Sequence, residues 1–318
     1  MILPHIYRIG PLLTAALWLL LTGMFATSCS LDDERDVCCG KNTIRFRYLY
    51  RGNDRFDTYI HQIHYLLFDS VGHYVKDMQP VEGMMSRVRI GSLPEGGYTL
   101  VGIGNLKEYG ELRGHTEGGL EQFHLAVTKY IDSASETIAE GDRIYWGECP
   151  FTVVSGADNS YLGELSNVHC VLRVRVEWEL IPEFRDGYTY QLAGIGRKMK
   201  LTKDDALSIG NQFFPQVKDY SGVKAKEVPL RRSALDATMV TLRWTDQEIP
   251  RFQLRNKRQS ITKEIALKPI FERWGWHPDS TPVQEYEICL KIQADGSIMV
   301  KEGVDVGVGD WIDGGALG

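Results

Sequence analysis

Cysteine offers the most varied chemistry of the side chains in this sequence, because a thiol can form a disulfide, bind a metal or carry a covalent group. No two cysteines have the Cys-x-x-Cys spacing of a redox or zinc motif, and no cysteines and histidines have zinc-finger spacing. Cys170 and Cys289 stand inside alternating apolar segments, which predicts that both are buried as small hydrophobic side chains. The six cysteines are Cys29, Cys38, Cys39, Cys149, Cys170 and Cys289.

Cys29 differs from the other cysteines because it follows an apolar segment and three small residues. The apolar segment, residues 11–25, is too short to span a bilayer core of about 30 Å and is typical of the core of a signal peptide. The order of these features resembles the bacterial lipoprotein signal (lipobox). That resemblance implies cleavage between Ser28 and Cys29 and acylation of Cys29. The alternative is an ordinary secretory signal that is cleaved near Ser28.

An acidic run follows Cys29 and contains Asp32, Asp33 and Glu34. It resembles the export tag that carries lipoproteins to the outer face of the outer membrane in Bacteroidetes-type bacteria. The same run also fits a solvated tether, because like charges extend a linker, and the two interpretations are compatible. The sequence therefore predicts a signal peptide over 1–28 and a lipidated acidic tether over 29–42.

Composition excludes several classes of protein. The chain has 318 residues, with 43% hydrophobic and 25% charged residues, which are ordinary values for a folded chain and rule out disorder throughout. Lys and Arg number 36 against 42 Asp and Glu, and no basic block is long enough to follow nucleic-acid phosphates. We therefore expect no nucleic-acid partner.

Alternating apolar residues predict strands along most of the chain. The clearest examples are residues 43–50 (TIRFRYLY) and 168–179 (VHCVLRVRVEWE). A polar stretch at 155–160 separates two strand-rich halves, which predicts one β-sandwich domain over 43–160 and a second over 161–318. The best helical spacing, and the only predicted helix, covers residues 120–130. The predicted fold class is all-β.

Catalytic and metal motifs are absent from the sequence pattern. His61 and His64 are three residues apart in a strand pattern, so their side chains would point to opposite faces and could not share a metal. The segment Gly102–Asn105 lacks the third glycine of a dinucleotide fingerprint and fits a strand whose glycines permit close approach. We predict no enzyme activity, no cofactor and no metal site.

Two tryptophans are candidates for binding a ligand. Trp274 and Trp276 lie in a loop-like stretch, and exposed indole faces often bind sugars. The alternative is that both fold back onto the edge of a strand.

Several motifs occur in the order found in one known family. They are TIRFRYLY, the hairpin IHYLLFDSVGHYV, LPEGGYTLVGIGN, RIYWGE, VHCVLRVRVEWE and VGVGDWIDG. In this order, after a lipobox-like cysteine, they resemble the FimB-type fimbrial anchor lipoprotein family of Bacteroidetes-type bacteria. The resemblance implies two tandem transthyretin-like β-sandwich domains. It also implies an outer-membrane lipoprotein that holds the base of a fimbria and in some systems limits its length.

The resemblance implies fimbrial stalk subunits as partners, bound by exchange of strands. The strand segment Thr43–Tyr50 and the C-terminal segment Tyr286–Gly318 are the expected edges, because edge strands often come from chain termini. Two alternatives remain open. One is a surface lipoprotein or fimbrial tip adhesin that binds glycans or host ligands through Trp274 and Trp276. The other is a lipid-anchored glycan hydrolase.

Overall fold

Strands dominate the computed structural model, which describes residues 42–107, 110–127, 130–132, 137–138, 141–183, 187–257, 260–303 and 312–316. The first strands are β1 (Asn42–Tyr50), β2 (Asn53–Asp54), β3 (Ile63–Asp69), β4 (Tyr74–Met78), β5 (Pro80–Val81), β6 (Met84–Ile90), β7 (Gly96–Gly104), β8 (Gly110–Arg113), β9 (His124–Val127), β10 (Tyr130–Asp132), β11 (Thr137–Ile138), β12 (Tyr145–Val153) and β13 (Ser160–Asn167).

The strands of the second half follow a short connection. They are β14 (His169–Trp178), β15 (Tyr188–Ile195), β16 (Lys198–Lys200), β17 (Ala206–Ile209), β18 (Gln212–Pro215), β19 (Val217–Asp219), β20 (Gly222–Val228), β21 (Ala234–Leu242), β22 (Arg251–Arg255), β23 (Ile265–Ala266), β24 (Gln284–Ile292), β25 (Ser297–Glu302) and β26 (Ile312–Ala316). The described helices are α1 (Phe56–Tyr59), α2 (His115–Gln122), α3 (Lys268–Trp274) and the 3₁₀ turn Pro278–Ser280. The predicted all-β class is confirmed.

The first half is built on one sheet of nine strands. Its order is β4-β3-β7-β12-β13-β1-β6-β5, with β2 paired to β1. Phe46 of β1 and Tyr65 of β3 are not on neighbouring strands, yet their ring centroids are 5.4 Å apart. The sheet therefore folds over on itself and encloses a core between two layers, in the manner of a sandwich. The buried residues of this core include Ile44, Phe46, Tyr48, Leu67, Val88, Leu100, Phe151 and Leu165.

Strand β1 is an inner strand, although we expected it at an edge. It pairs in parallel with β13 and antiparallel with β6. The strand itself is confirmed, because Ile44, Phe46 and Tyr48 alternate into the core. The expected edge position is wrong because both faces of the chain entry are covered: β13 and β6 come from distant parts of the sequence and close on either side.

The second half holds two further sheets around a second core. One has the order β21-β14-β24-β25-β26 and the other β10-β11-β20-β15-β22-β23. Along β14 the residues Cys170, Leu172, Val174 and Val176 are all buried, as the alternation predicted. Cys289 is buried too, and both cysteines are free thiols, so their predicted role as small core residues is confirmed.

Strands of the two halves also pair with each other. Strand β9 lies beside β16, with Leu125 opposite Met199, and β11 runs parallel to β20. The segment that precedes β12 therefore extends sheets that belong to the second half. A third buried cluster fills the junction and includes Phe68, Ile103, Phe123, Leu125, Trp146, Met199, Leu201 and Leu242. The division at 160/161 and the transthyretin-like tandem stay predictions; in the structure that division falls at the first residue of β13, which pairs with β1.

The predicted helix over 120–130 is wrong. Helix α2 ends at Gln122, and His124–Val127 form β9. Phe123 and Leu125 are both fully buried, so the two-residue alternation decided the backbone conformation over the weaker helical spacing. Among the described residues, no helix is long and apolar enough to cross a bilayer.

Candidate functional site

The residues predicted to carry the lipid anchor lie outside the described residues. This set comprises Ser28 and Cys29 at the predicted cleavage site, and Asp32, Asp33 and Glu34 in the predicted export tag. Cys38 and Cys39 fall in the same part of the chain. All of these assignments stay predictions from the sequence.

Trp274 and Trp276 are brought together at the end of α3. Gly275 between them has a φ of 66°, a left-handed conformation that ends the helix and is accessible to glycine without strain. The backbone N–H of Trp276 donates to the carbonyl of Phe271 at 2.9 Å, which turns the chain back over the helix. The two indole centroids are 4.9 Å apart.

Both tryptophans are half-buried and pack against the second core, so they do not form an exposed flat patch. The Trp276 ring meets Phe271 edge-on, with centroids 4.9 Å apart and an interplanar angle of 89°. It also lies 5.1 Å from the ring of Tyr286 on β24. The indole of Trp276 is therefore held in one orientation by aromatic neighbours on two sides.

A cleft of about 410 Å³ opens beside Trp276, and we call it the aromatic cleft. Its walls are the loop that follows α3, the start of β24 and the end of β25. Its lining residues are Gly275, Trp276, His277, Ser280, Thr281, Glu285, Tyr286, Glu287, Glu302 and Gly303. Three carboxylates and one indole thus face a single space.

The carboxylates of the aromatic cleft are unequal in their partners. Glu287 forms an ion pair with Arg173 of the neighbouring strand β14. Glu285 and Glu302 are exposed and make no hydrogen bond or ion pair with any other residue that the structure describes. The hydroxyls of Ser280 and Thr281 are both used, because each donates to the carbonyl of His277. The cleft therefore carries an excess of negative charge.

Strand β24 has an incomplete edge at this cleft. On one side β14 pairs with its whole length, whereas on the other side β25 pairs only with Ile288–Ile292. One further bond, from the Gly303 N–H to the Glu287 carbonyl at 2.7 Å, extends that side. Because backbone groups alternate along a strand, the N–H and C=O of Glu285 point to this same side. No strand among the described residues pairs with them there.

Sequence reasoning found Trp276 but missed the glutamates around it. The signal was present in QEYEICLKI, since strict alternation places Glu285 and Glu287 on the solvent face while Ile288 and Leu290 enter the core. Glu302 could not have been found in this way, because its position depends on the pairing of β25 with β24.

The other candidate motifs are structural. Gly102 and Gly104 end β7 without a side chain, and an added Cβ would lie 3.3 Å from the rings of Phe46 and Tyr65, or 3.2 Å from Ile60. What approaches these glycines is therefore side chains of the core. In the described part of the chain, no group of three His, Cys, Asp or Glu residues could hold a metal ion.

Glu148 is a buried acid where the two halves meet. It lies on β12, and one of its carboxylate oxygens accepts a hydrogen bond from the backbone N–H of Lys203 at 3.1 Å. Burial raises the pKa of Glu148 to about 7, although the Lys203 N–H and the Lys203 charge act in the opposite direction. This group couples the junction to pH near neutrality.

Solved structures with this arrangement of sheets are surface proteins of Bacteroidetes. A candidate adhesin from Bacteroides ovatus matches with a TM-score of 0.63 at 13% identity, covering 86% of this chain and 96% of its own. A candidate polysaccharide-binding protein from Bacteroides thetaiotaomicron matches with a TM-score of 0.61 at 14% identity, covering 82% and 96%. At such identities the likeness shows a shared fold.

The fimbrial anchor protein Mfa2 from Porphyromonas gingivalis has the same fold. It matches with a TM-score of 0.58 at 13% identity, and the match covers 88% of this chain and all of Mfa2. No curated sequence matches the chain.

The family model of the fimbrillin-A associated anchor proteins Mfa1 and Mfa2 matches residues 33–312. The chain belongs to this Mfa2 family, which confirms the fimbrial anchor resemblance predicted from the motifs. The family consists of structural proteins of fimbriae and is not a class of enzymes.

Proposed function

We propose that this protein anchors the base of a fimbria at the outer membrane. The observation that carries the proposal is the family match over 33–312, which begins within the predicted tether and spans both cores. Mfa2, a fimbrial anchor, is also covered over its full length by the structural match. The anchor acts as a mechanical link and needs no reaction centre.

The membrane end of the proposed anchor is Cys29. A triacylated cysteine buries several acyl chains, each CH₂ contributing about 0.8 kcal/mol, so attachment is permanent. From Cys29 to the first residue of β1, the chain spans at most about 45 Å when fully extended. The folded part can thus stand clear of the lipid head groups. The acidic residues Asp32, Asp33 and Glu34 direct the lipoprotein to the cell surface.

Replacing Cys29 with alanine tests the membrane end. We expect the Cys29→Ala variant to leave the membrane fraction, whereas Cys38→Ala and Cys39→Ala, which are matched controls a few residues away, stay in it. Detergent partitioning and immunoblotting of outer-membrane fractions measure the change. A Cys29→Ala variant that remains membrane-bound would refute lipid attachment at this residue.

The fimbrial end of the proposed anchor is an open strand edge that accepts a strand from a stalk subunit. Main-chain hydrogen bonds supply the register, and pockets for alternate side chains supply selectivity. Strand β26 supports this proposal, because among the described strands it pairs only with β25 and so ends its sheet. Strand β1, flanked on both sides, is not a suitable edge.

Truncation of residues 312–318 tests the fimbrial end. We expect co-purification with stalk subunits to fall sharply, while the cooperative unfolding of the remaining chain is retained. Replacing Thr238 on β21, at the opposite end of the same sheet, with proline gives a control with an altered edge elsewhere. Undiminished co-purification after the truncation would exclude β26 as the contact.

A second candidate function is binding of surface glycans or host ligands, as a fimbrial tip adhesin. The observation in its favour is that Trp276 lines the aromatic cleft, since indoles are common in sugar sites. The half-buried packing of Trp274 against Trp276 is unlike the flat exposed platform that this function would use. Binding of the purified chain to a glycan array, lost in Trp276→Ala, would support it.

A further inference from the structure

We propose that the aromatic cleft binds a lysine or arginine side chain carried by an extended peptide. This inference rests on the proposed function only in naming a fimbrial stalk subunit as the source of that peptide. The peptide lies along the open edge of β24 and inserts its basic side chain between Trp276 and the glutamates.

Charge is the first observation behind this assignment. Arg173 neutralises Glu287, but Glu285 and Glu302 keep their full charge on either side of the same cleft. His277 is the only basic side chain in the lining, and it is turned to Asp246, with its Nδ1 atom 3.4 Å from a carboxylate oxygen. A cation entering the cleft would thus meet two carboxylates and no fixed positive competitor among the described lining residues.

The indole is the second observation. Trp276 is held by Phe271 and Tyr286, so its ring does not have to be ordered when a ligand binds. A cation over an indole face is attracted by the ring quadrupole, and tryptophan is the best of the aromatic residues for this contact. Carboxylates beside an indole select for a cation, whereas a neutral ligand would gain nothing from Glu285 and Glu302.

The strand edge is the third observation, and it selects a peptide over a free amine. The N–H and C=O of Glu285 point to the side of β24 where β25 has already ended. An extended peptide can exchange two main-chain hydrogen bonds with this residue. Side chains of such a peptide alternate, so one of them is directed to the cleft. The volume of about 410 Å³ is within the range of about 300–1,000 Å³ that binding sites occupy.

Calorimetric titration of the purified full chain tests the proposal. The probes are short peptides of alternating threonine and valine with a central arginine, glutamine or glutamate, together with glucosamine as a small cationic sugar. We expect the arginine peptide to bind about fivefold more tightly than the glutamine peptide, and the glutamate peptide to bind least. We expect the double variant E285Q/E302Q to lose this preference, and the matched exposed strand variant E227Q to keep it.

Both substituted glutamates are exposed, so the thermal unfolding midpoint should be unchanged and loss of binding is not loss of fold. Equal affinity for the arginine and glutamine peptides would overturn the proposal, as would an unaltered preference in E285Q/E302Q. Glucosamine binding as tightly as the arginine peptide would also overturn it, in favour of a sugar site.

Co-purification of stalk subunits separates this inference from the anchor function. Arginine-peptide binding without any co-purification supports the cleft and contradicts the anchor function. Co-purification that is equally strong in wild type, E285K/E302K and the E227K control supports the anchor and contradicts the cleft as a stalk contact.

Discussion

Single residues carry the tight connections of the first half, and Asn105 shows this most clearly. It follows β7 with a φ of 60°, a conformation that asparagine tolerates better than most residues. Its Oδ1 atom accepts from the backbone N–H of His61 at 2.8 Å and of Gln62 at 3.3 Å. Its Nδ2 atom donates to the carbonyl of Tyr59 at 2.7 Å. Asn105 thus replaces a missing strand partner for the turn that precedes β3.

Replacing Asn105 tests that role. Asn105→Ala loses three hydrogen bonds and places a Cβ at positive φ, so we expect the free energy of unfolding to fall by about 2–3 kcal/mol. Asn105→Gly removes the backbone strain alone and should recover about 1 kcal/mol of the loss. Urea denaturation measures both, with exposed Asn53→Ala as a control that changes stability little. Equal stability of all variants would contradict the assigned hydrogen bonds.

Glu148 makes the stability of the junction depend on pH. Its pKa of about 7 in the folded chain exceeds the unfolded value of 4.5, so the folded state holds the proton more tightly. Stability from this group is therefore full below pH 4.5 and is lost as the pH rises through 7, by about 3 kcal/mol at most.

Glu148→Gln keeps an acceptor for the Lys203 N–H but cannot ionise. We expect this variant to be more stable than the wild type at pH 8 and no more stable at pH 4.5, by chemical denaturation at both values. A constant difference between the two proteins across this range would contradict a raised pKa for Glu148.

Elements were predictable where one face of the chain is uniformly buried. Strands β1, β14 and β24 alternate along their whole length, so their type and their inward faces followed from the sequence. Pairing did not follow, because the parallel contacts of β1 with β13 and of β14 with β24 join residues more than a hundred positions apart. The aromatic cleft was half-predictable for the same reason: Trp276 and its loop are local, whereas Glu302 reaches it only through pairing.

Strands β12 and β13 approach each other so closely at Gly147 that no side chain fits. An added Cβ there would lie 2.2 Å from the Glu164 carbonyl oxygen. We expect Gly147→Ala to separate these strands and to lower the free energy of unfolding by about 1–3 kcal/mol. Gly91→Ala is the matched control, because nothing lies within 4 Å of a Cβ at that position. A Gly147→Ala variant as stable as Gly91→Ala would contradict the close approach.

At the scale of the whole molecule, the chain crosses between its halves more than once. Phe123 and Leu125 come from the first half and pack with Met199 and Leu201 of the second. A fragment ending at 160 would expose this cluster and would also lose the pairing of β1 with β13. Sequence reasoning placed two cores correctly along the chain but could not detect a shared sheet, because β9 is short and its partner β16 is distant.

Expression of residues 42–160 alone tests this dependence. We expect a fragment without cooperative thermal unfolding and with poorly dispersed amide resonances, whereas the chain from 42 to 318 shows both properties. A folded fragment, with dispersed resonances and a sharp transition, would show that the crossing strands are dispensable for the first core.

The inner position of β1 has a mechanical consequence for the proposed anchor. The lipid would pull on this protein through the N-terminal end of β1, and β1 is hydrogen-bonded to β13 on one side and β6 on the other. Tension along β1 loads these two rows of bonds in shear, so they resist together. At the edge of a sheet, the same strand could instead be peeled away one bond at a time. The attachment point is thus placed where the fold is hardest to tear, as a tether for a long filament in flowing liquid requires.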